Sequence, residues 1–338
     1  MTHITKETIN DFIAHNNPRA LTQTGYWLNI EKLGEQKTYI VYTSEKGKIT
    51  SSVLLIKHDL TMNKNYFYAP YGPVISKELT PPEIQATTQK LLHEIKKFID
   101  LTNTIFIRFE PFYQTCHTLY HSLAENGFVA TNRYTQPKDT LILNLLQSKD
   151  EIFKNFKQKT RYNIRLAHKK HIKIIKTSDV KDVDYFFELL LKTCDRNTFR
   201  PHNKRHYQNI LKTLGPKNIV FLYHAQYKDK IIASIMVSYF GHIATYLHGA
   251  SSNTYRNLMP TYALQWQAIQ DAIDYKCRFY DFGGIAPPGS KPNHPWAGIT
   301  RFKNGFGGIE VSTAGHMEKT ISPFWHTVYK TAKFLQQS

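Results

Sequence analysis

The sequence predicts an α/β (α+β) fold made of two tandem domains, each a mixed sheet with helices on its faces. Three observations predict it. The chain has 338 residues, and at roughly 100–200 residues per domain that length calls for two. Its composition, 41% hydrophobic with 13% aromatic, is enough for two real cores and excludes a disordered chain. One order of strands and helix also recurs, with hairpins starting near Tyr39 and Ile219, 180 residues apart.

In the first half, TYIVYTSEKGKITSSVLLIKH reads as two strands around a Gly-Lys turn, and NYFYAPYGPVI as a third. A helix follows from about Pro81 to Asp100, then the strand TIFIRFEP, a helical segment through Ala124, and a closing strand near DTLILNL. The second half repeats this with IVFLYHAQYKDKIIASIMVSYF as the hairpin, HIATYLHGAS as the third strand, PTYALQWQAIQDAIDYK as the helix and CRFYDFGGI as the strand after it. Strand, strand, strand, helix, strand is the order of a mixed sheet. After Ile321 the stretch SPFWHTVYKTAKFLQQS reads as an amphipathic helix whose Trp325, Val328 and Phe334 are expected to pack. The expected domains are 1–147, completed by 320–338, and 148–319.

The charge is as informative. Lys and Arg number 44 against 26 Asp and Glu, a formal +18, which favours an anionic partner: nucleic acid, a phosphorylated substrate or a membrane surface. A lineage-wide Lys-rich habit is the alternative source of such basicity. Cys116, Cys194 and Cys277 are too far apart for any Cys-Cys or Cys-His ligand spacing and are expected to be buried, reduced thiols of a cytoplasmic protein. The opening MTHITKETINDF carries acids and no apolar core, and no apolar run nears the roughly 20 residues that span a bilayer, so neither secretion nor membrane insertion is expected.

Residues 157–176, KQKTRYNIRLAHKKHIKIIK, hold eight Lys or Arg and no acid. This is either a solvated helix face or a phosphate-contacting one. Arg161, Arg165 and Lys169, followed by Lys170, recur at spacings of four and so share a face, while Tyr162, Ile164 and Leu166 fit its apolar side. The motifs GxGxxG, GxxxxGK[ST], HExxH and GxSxG are all absent, which weakens oxidoreductase, NTPase, zinc-protease and α/β-hydrolase readings. The strand order looks like that of acetyl-coenzyme A-dependent acetyltransferases. However, the stretch before the second-half helix, SSNTYRNLMPTYA, has no glycine to bring backbone N–H groups to a pyrophosphate, and Pro260 removes a donor; VISKELTPPE in the first half is no better. No coenzyme A, other cofactor or metal is expected.

Several short segments are dense in polar and aromatic residues where functional sites sit: APYGPV, RFEP, HGASSNTYRNLMPTYALQW, YDFGGI and PWAGITRFKNGFGG. Together with Trp27 followed by Lys32, and with KTRYNIRLAHKK, this ordered set resembles the FemABX family of non-ribosomal peptidyl transferases over essentially the whole chain, most closely its short FemX-like members. The resemblance implies two tandem acetyltransferase-like (GNAT) domains without an inserted coiled-coil arm. It also implies a cytoplasmic enzyme that takes an amino acid from aminoacyl-tRNA and attaches it to the stem peptide of a peptidoglycan precursor, UDP-MurNAc-pentapeptide or its lipid-linked form, with peripheral association at the inner membrane surface as a further implication.

Carried over residue by residue, Lys303 matches the lysine beside the reacting ester and Phe302 the aromatic next to the terminal adenosine. Glu110, after Arg108 in RFEP, keeps the carboxylate where close relatives have aspartate. Lys32 lies where a lysine holds the precursor's phosphates. The partner arginine is replaced by His202, with Lys204, Arg205 and Tyr207 as substitutes. Tyr255, Arg256 and Tyr262 come from the loop lining the cleft. Arg161, Arg165, Lys169 and Lys170 would meet tRNA, and Trp296 and Phe302 are either core or platforms for unpaired bases. The implied reaction is attack of a free amine on the aminoacyl ester, with Lys303 facing the developing oxyanion and Glu110 or Asp281 orienting the amine. Asp281 has an equal alternative, fixing the turn before Phe-Gly-Gly through its own backbone. Competing readings are aminoacyl transfer to a protein N-terminus and a non-catalytic RNA-binding protein.

Overall fold

The structure is a computed structural model that describes residues 4–113, 117–131, 135–197 and 200–335; Cys116 lies outside them. The chain divides into two units, residues 1–138 with 313–338, and 139–312.

The first unit opens with α1 (Lys6–Asn16) and α2 (Gly25–Leu33), then β1 (Lys37–Glu45), β2 (Lys48–Asp59), β3 (Asn65–Tyr71), β4 (Val74–Ile75), α3 (Pro81–Lys96), β5 (Thr104–Pro111), α4 (Thr118–Glu125) and β6 (Val129–Thr131). The second unit runs β7 (Asp139–Asn144), α5 (Lys149–Asn155), α6 (Gln158–Lys169), β8 (Lys173–Thr177), α7 (Val183–Asn197), α8 (Lys204–Leu214), β9 (Val220–Tyr227), β10 (Lys230–Phe240), β11 (Ile243–Ser251), α9 (Pro260–Asp274), β12 (Phe279–Gly284), α10 (Ala297–Lys303) and β13 (Ile309–Ser312). The chain then returns to the first unit with β14 (His316–Thr320) and α11 (Pro323–Leu335).

The expected recurrence is present in the pairing. In the first sheet β1, β2 and β3 are antiparallel neighbours and β3 pairs with β5 in parallel; β9, β10, β11 and β12 repeat this pattern in the second. Both hairpins turn alike. Lys46 and Gly47 in one, and Lys228 and Asp229 in the other, all take positive φ, the two-residue turn whose twist suits a hairpin. Each unit has its own core, with Leu55, Leu91 and Phe109 in the first and Ile235, Leu264 and Phe306 in the second.

Several expectations are corrected. DTLILNL does not close the first sheet: β7 lies in the second, between β12 and β13. The antiparallel neighbour of β5 is instead β14, so β14 joins the first sheet although it was expected in the second domain. A strand sequence carries no label for which sheet edge it will meet, because that pairing is non-local. The helix expected to reach Asp100 ends at Lys96. In α11, Val328 and Phe334 are not buried, being 42% and 66% exposed. Tyr162 is likewise exposed, and the buried side of α6 is Thr160, Asn163, Ile164 and Ala167. Cys194 and Cys277 are buried and free, as expected. In the second unit the longest helices, α7 and α9, have 15 residues each and pack on the sheet, so the described residues hold no projecting coiled-coil arm. No helix among them is long and apolar enough to cross a membrane.

One buried charge network ties β5, β14 and α11. Arg108 Nε donates to Glu318 Oε1 at 2.8 Å, and Glu318 Oε2 lies 3.1 Å from His326 Nε2. Burial pushes the Glu318 carboxyl up, but hydrogen bonding to His326 and the charge and hydrogen bonds of Arg108 outweigh it and hold the group at about 2. Because that lies below the ordinary 4.5, the stabilisation is complete above about pH 4.5 and drains away as pH falls toward 2. Urea midpoints measured against pH are expected to fall across this window in the wild-type protein. Glu318→Gln, which leaves Arg108 buried without its counter-charge, is expected to cost about 3–5 kcal/mol at neutral pH and to flatten that acid slope.

Candidate active site

In the second unit the site is built from the end of β12. Asp281 is fully buried, and one carboxylate oxygen, Oδ1, accepts from the Thr140 hydroxyl of β7 and from the backbone N–H of Gly283 at 2.7 Å. That second bond is the turn-fixing role, and the strand register breaks between Asp281 and Gly284. Gly283 takes φ +69°, and a Cβ there would lie 3.2 Å from the Tyr246 carbonyl oxygen, so the bend needs glycine on both conformational and spatial grounds. The bend presents the Gly284 carbonyl, which accepts from Lys303 Nζ at 2.6 Å.

Lys303 ends α10 and is only 5% exposed, which is unusual for a lysine. Its ammonium lies 5.6 Å from the centre of the Tyr246 ring, within cation–π range. Burial pushes the Tyr246 hydroxyl up to about 12, so the ring stays neutral beneath the cation. Phe302 is half-buried and meets Tyr262 edge-on at 4.9 Å and Phe306 at 5.4 Å, so it belongs to an aromatic cluster that seats α10. The Lys157 N–H donates to the Gly305 carbonyl at 2.9 Å; together with Thr160 packed against Gly305, this joins the start of the basic segment to the glycine-rich turn. Trp296, just before α10, is 44% exposed.

The structure therefore brings Lys303, Phe302, Tyr262 and Asp281 into one neighbourhood. Tyr255 meets the Tyr227 ring at a tilt, 5.5 Å between centres, and Arg256 is exposed beside it, both in the turn leading to α9. That helix starts at Pro260 on a left-handed Met259. Tyr207 is core, 2% exposed and edge-on to Phe186 and His248. His202 stacks on His206 at 4.2 Å. Burial lowers both imidazoles, His206 to about 3, so the positive charge of this segment comes from Arg205 and from Lys204, which pairs with Asp184 at 2.6 Å. In α6, Arg161 donates to the carbonyls of Lys154 and Phe156 at the end of α5, and Arg165 lies over the Phe153 ring. Lys169 and Lys170 are exposed.

The first unit holds the other expected residues. Lys32 is exposed in the last turn of α2. Arg108 is buried in its ion pair with Glu318, not presented to solvent. Glu110 is 3% exposed. Its oxygens accept from the Tyr68 hydroxyl and from the backbone N–H groups of Thr135 and Gln136, and lie 2.7 Å from His316 Nε2. These partners make it an organiser of the β3, β5 and β14 ends. Tyr246 and Thr140 were not singled out from sequence. Tyr246 precedes a bulge at Leu247, where the β10–β11 ladder skips a residue, and strand periodicity carries no sign of that. Among the described residues no cluster of His, Cys, Asp and Glu is arranged to hold a metal.

Gly283→Ala, forcing a side chain into left-handed φ against the Tyr246 carbonyl, is expected to cost about 1–2 kcal/mol, read from the urea midpoint.

Comparison with known proteins agrees with this architecture. A model of the FemAB family matches residues 4–229 and 222–334. The UDP-N-acetylmuramoylpentapeptide-lysine N(6)-alanyltransferase of Weissella viridescens is 21% identical, covering 82% of this chain and 84% of that protein. The lipid II:glycine glycyltransferase of Staphylococcus haemolyticus is 23% identical, covering 95% and 92%. A crystal structure of FemX superposes with a TM-score of 0.85 at 17% identity, over 97% of this chain and 98% of that one, and a tandem GNAT protein from the clavulanic acid pathway with 0.56 at 9% identity, over 94% of each. With two sheets of one pattern and a family match that runs nearly from end to end, the chain belongs to the FemAB family.

Proposed function

We propose that this chain is an aminoacyltransferase that moves an amino acid from aminoacyl-tRNA to an amine on the stem peptide of a peptidoglycan precursor, building the interpeptide bridge, in the cytoplasm. The observation that carries the reading is the buried Lys303 ammonium, held by the Gly284 carbonyl at the bend of β12. The named activities of the Weissella and Staphylococcus relatives support the substrate class.

The chemistry needs no protein nucleophile. The amine nitrogen attacks the ester carbonyl carbon, the C–N bond forms and the carbonyl oxygen takes up negative charge. The intermediate then collapses, the ester C–O bond breaks, and the tRNA ribose hydroxyl leaves with the proton that the amine gives up. Orientation of amine and ester supplies up to roughly 7–11 kcal/mol. Fixed positive charge aimed at the oxyanion adds about 3–4 kcal/mol in a low-dielectric site, a role we assign to Lys303. Both substrates are polyanions, which gives the +18 charge a use. Lys32, Arg205, Arg256, Lys169 and Lys170 are the exposed cations we assign to their phosphates.

Radiolabelled amino acids on a mixed charged-tRNA pool are expected to appear in UDP-MurNAc-pentapeptide or its lipid-linked form. Lys303→Ala is expected to lower the rate about 10²–10³-fold with little change in the urea midpoint. Transfer to neither acceptor would overturn the cell-wall reading and leave a protein N-terminus as the acceptor to test. Because phosphate contacts dominate such binding, the logarithm of the affinity for charged tRNA is expected to fall linearly with the logarithm of salt concentration.

A further inference from the structure

On β11 the Tyr246 side chain lies where strand alternation alone would not put it. Residues three apart on a regular strand point to opposite faces, yet the Tyr246 ring rests on Gly249: a Cβ built there would overlap the Tyr246 hydroxyl oxygen and fall 2.7 Å from Cζ and 2.9 Å from Cε2. The bulge makes this possible. Val237 pairs with Tyr246 and Met236 with His248, so Leu247 is an extra residue that shifts the alternation by one and turns Tyr246 and Gly249 the same way. Gly249 takes no left-handed φ, so its backbone conformation does not call for glycine; the ring above it does. The same ring lies 5.6 Å, centre to Nζ, from the Lys303 ammonium. Tyr246 also follows the last rung that joins β11 to β12, Thr245 with Asp281, and its carbonyl oxygen borders Gly283. Ring and main chain thus both flank the bend whose Gly284 carbonyl accepts from Lys303.

We propose that Tyr246 is a positioning residue that holds the Lys303 ammonium in place, and that Gly249 is the seat that lets it do so. A lysine stem is flexible and its tip carries three rotatable donors, so a hydrogen bond at the tip sets a distance without setting a direction. The attraction of a ring face for a cation adds the second constraint and favours the charged form of the amine. The rival reading is packing alone, since Tyr246 also borders the core of the second unit. A core filler needs neither device found here. To lay this ring across Gly249 the strand gives up a regular ladder at Leu247 and a side chain at 249, and the result is a ring face within reach of one buried cation. The proposal deepens the functional reading and rests on it for its purpose, because a fixed ammonium is what the oxyanion role assigned to Lys303 requires.

The test is competitive acetylation of the full chain with trace acetic anhydride at neutral pH, read at Lys303 by mass spectrometry. Lys176, paired with Asp271 in the same unit, is the internal reference. Lys303 is expected to label about tenfold faster in Tyr246→Leu than in the wild-type protein, because losing the ring's attraction for the charged form frees that much more uncharged amine. Tyr246→Phe, which keeps the ring face, is expected to match the wild type. Gly249→Ala is expected to act like Tyr246→Leu, and the two together to do no more than Tyr246→Leu alone, since leucine stops short of the ring atoms that crowd Gly249. In the transfer assay Tyr246→Leu is expected to lower kcat about tenfold at unchanged KM for either substrate, and to change nothing further in a Lys303→Ala chain. Unchanged labelling of Lys303 in Tyr246→Leu overturns the proposal. So do additive effects of the two substitutions, equally faster labelling of Lys176, or an undiminished kcat loss in the Lys303→Ala chain, each of which would return Tyr246 to packing. The expected labelling pattern in a wild-type chain that transfers from no charged tRNA would sink the functional reading and leave the positioning role standing.

Discussion

The second unit's site depends on how one strand ends. β12 lies between a parallel neighbour, β11, and an antiparallel one, β7, and the Asp281 carboxylate bonds to β7 through Thr140 and to its own chain through Gly283. The bend that results exposes a carbonyl oxygen in a largely dry place, and that oxygen is what a buried ammonium requires. A lysine with so little solvent contact is costly unless its charge is met by oriented dipoles; the Gly284 carbonyl and the Tyr246 ring provide them. The position of Lys303 thus follows from Asp281 through two short steps, which gives Asp281 a structural reason to be there whatever it does to a substrate.

The corresponding place in the first unit has taken another course. The β5 segment RFEP supplies Arg108 and Glu110, and both are spent inside the protein, one on Glu318 and His326, the other on Tyr68, His316 and two backbone donors. A buried carboxylate with this many partners is fixed in place, because moving it would disturb each of them. The same strand-end position is therefore a charge-bearing site in one unit and a tie-point in the other.

Much of the architecture was legible in the sequence because it is written in local signals: hairpin turns, the alternation of strands, and Pro81 and Pro260 at helix starts. The candidate site was legible as an ordered set of segments, and Lys303, Phe302, Tyr262 and Asp281 do share a neighbourhood. What was not legible is non-local. Nothing within DTLILNL says that its edge will meet β12, and nothing in RFEP says that its arginine will find a glutamate 210 residues later. Tyr246 reads as one more strand aromatic, and only the bulge beside it and the partner above it give it a role. Val328 and Phe334 are more exposed than expected for a related reason, since amphipathic spacing identifies an apolar face without saying how far it will be buried.

The exchange of β7 and β14 also sets a timetable. The second unit is one unbroken stretch, 139–312, while the first needs residues from 313 onward to supply the strand that pairs with β5. As a chain emerges from the ribosome, domains fold as their residues become available, so the unit that begins first finishes last. Until β14 arrives, the inner edge of β5 has no antiparallel partner and Arg108 lacks Glu318. An open strand edge beside an uncompensated charge is a state that invites wrong pairing, and it persists for the whole time the ribosome spends on the intervening unit. A circularly permuted gene that begins near residue 313 would make the first unit contiguous and remove that interval.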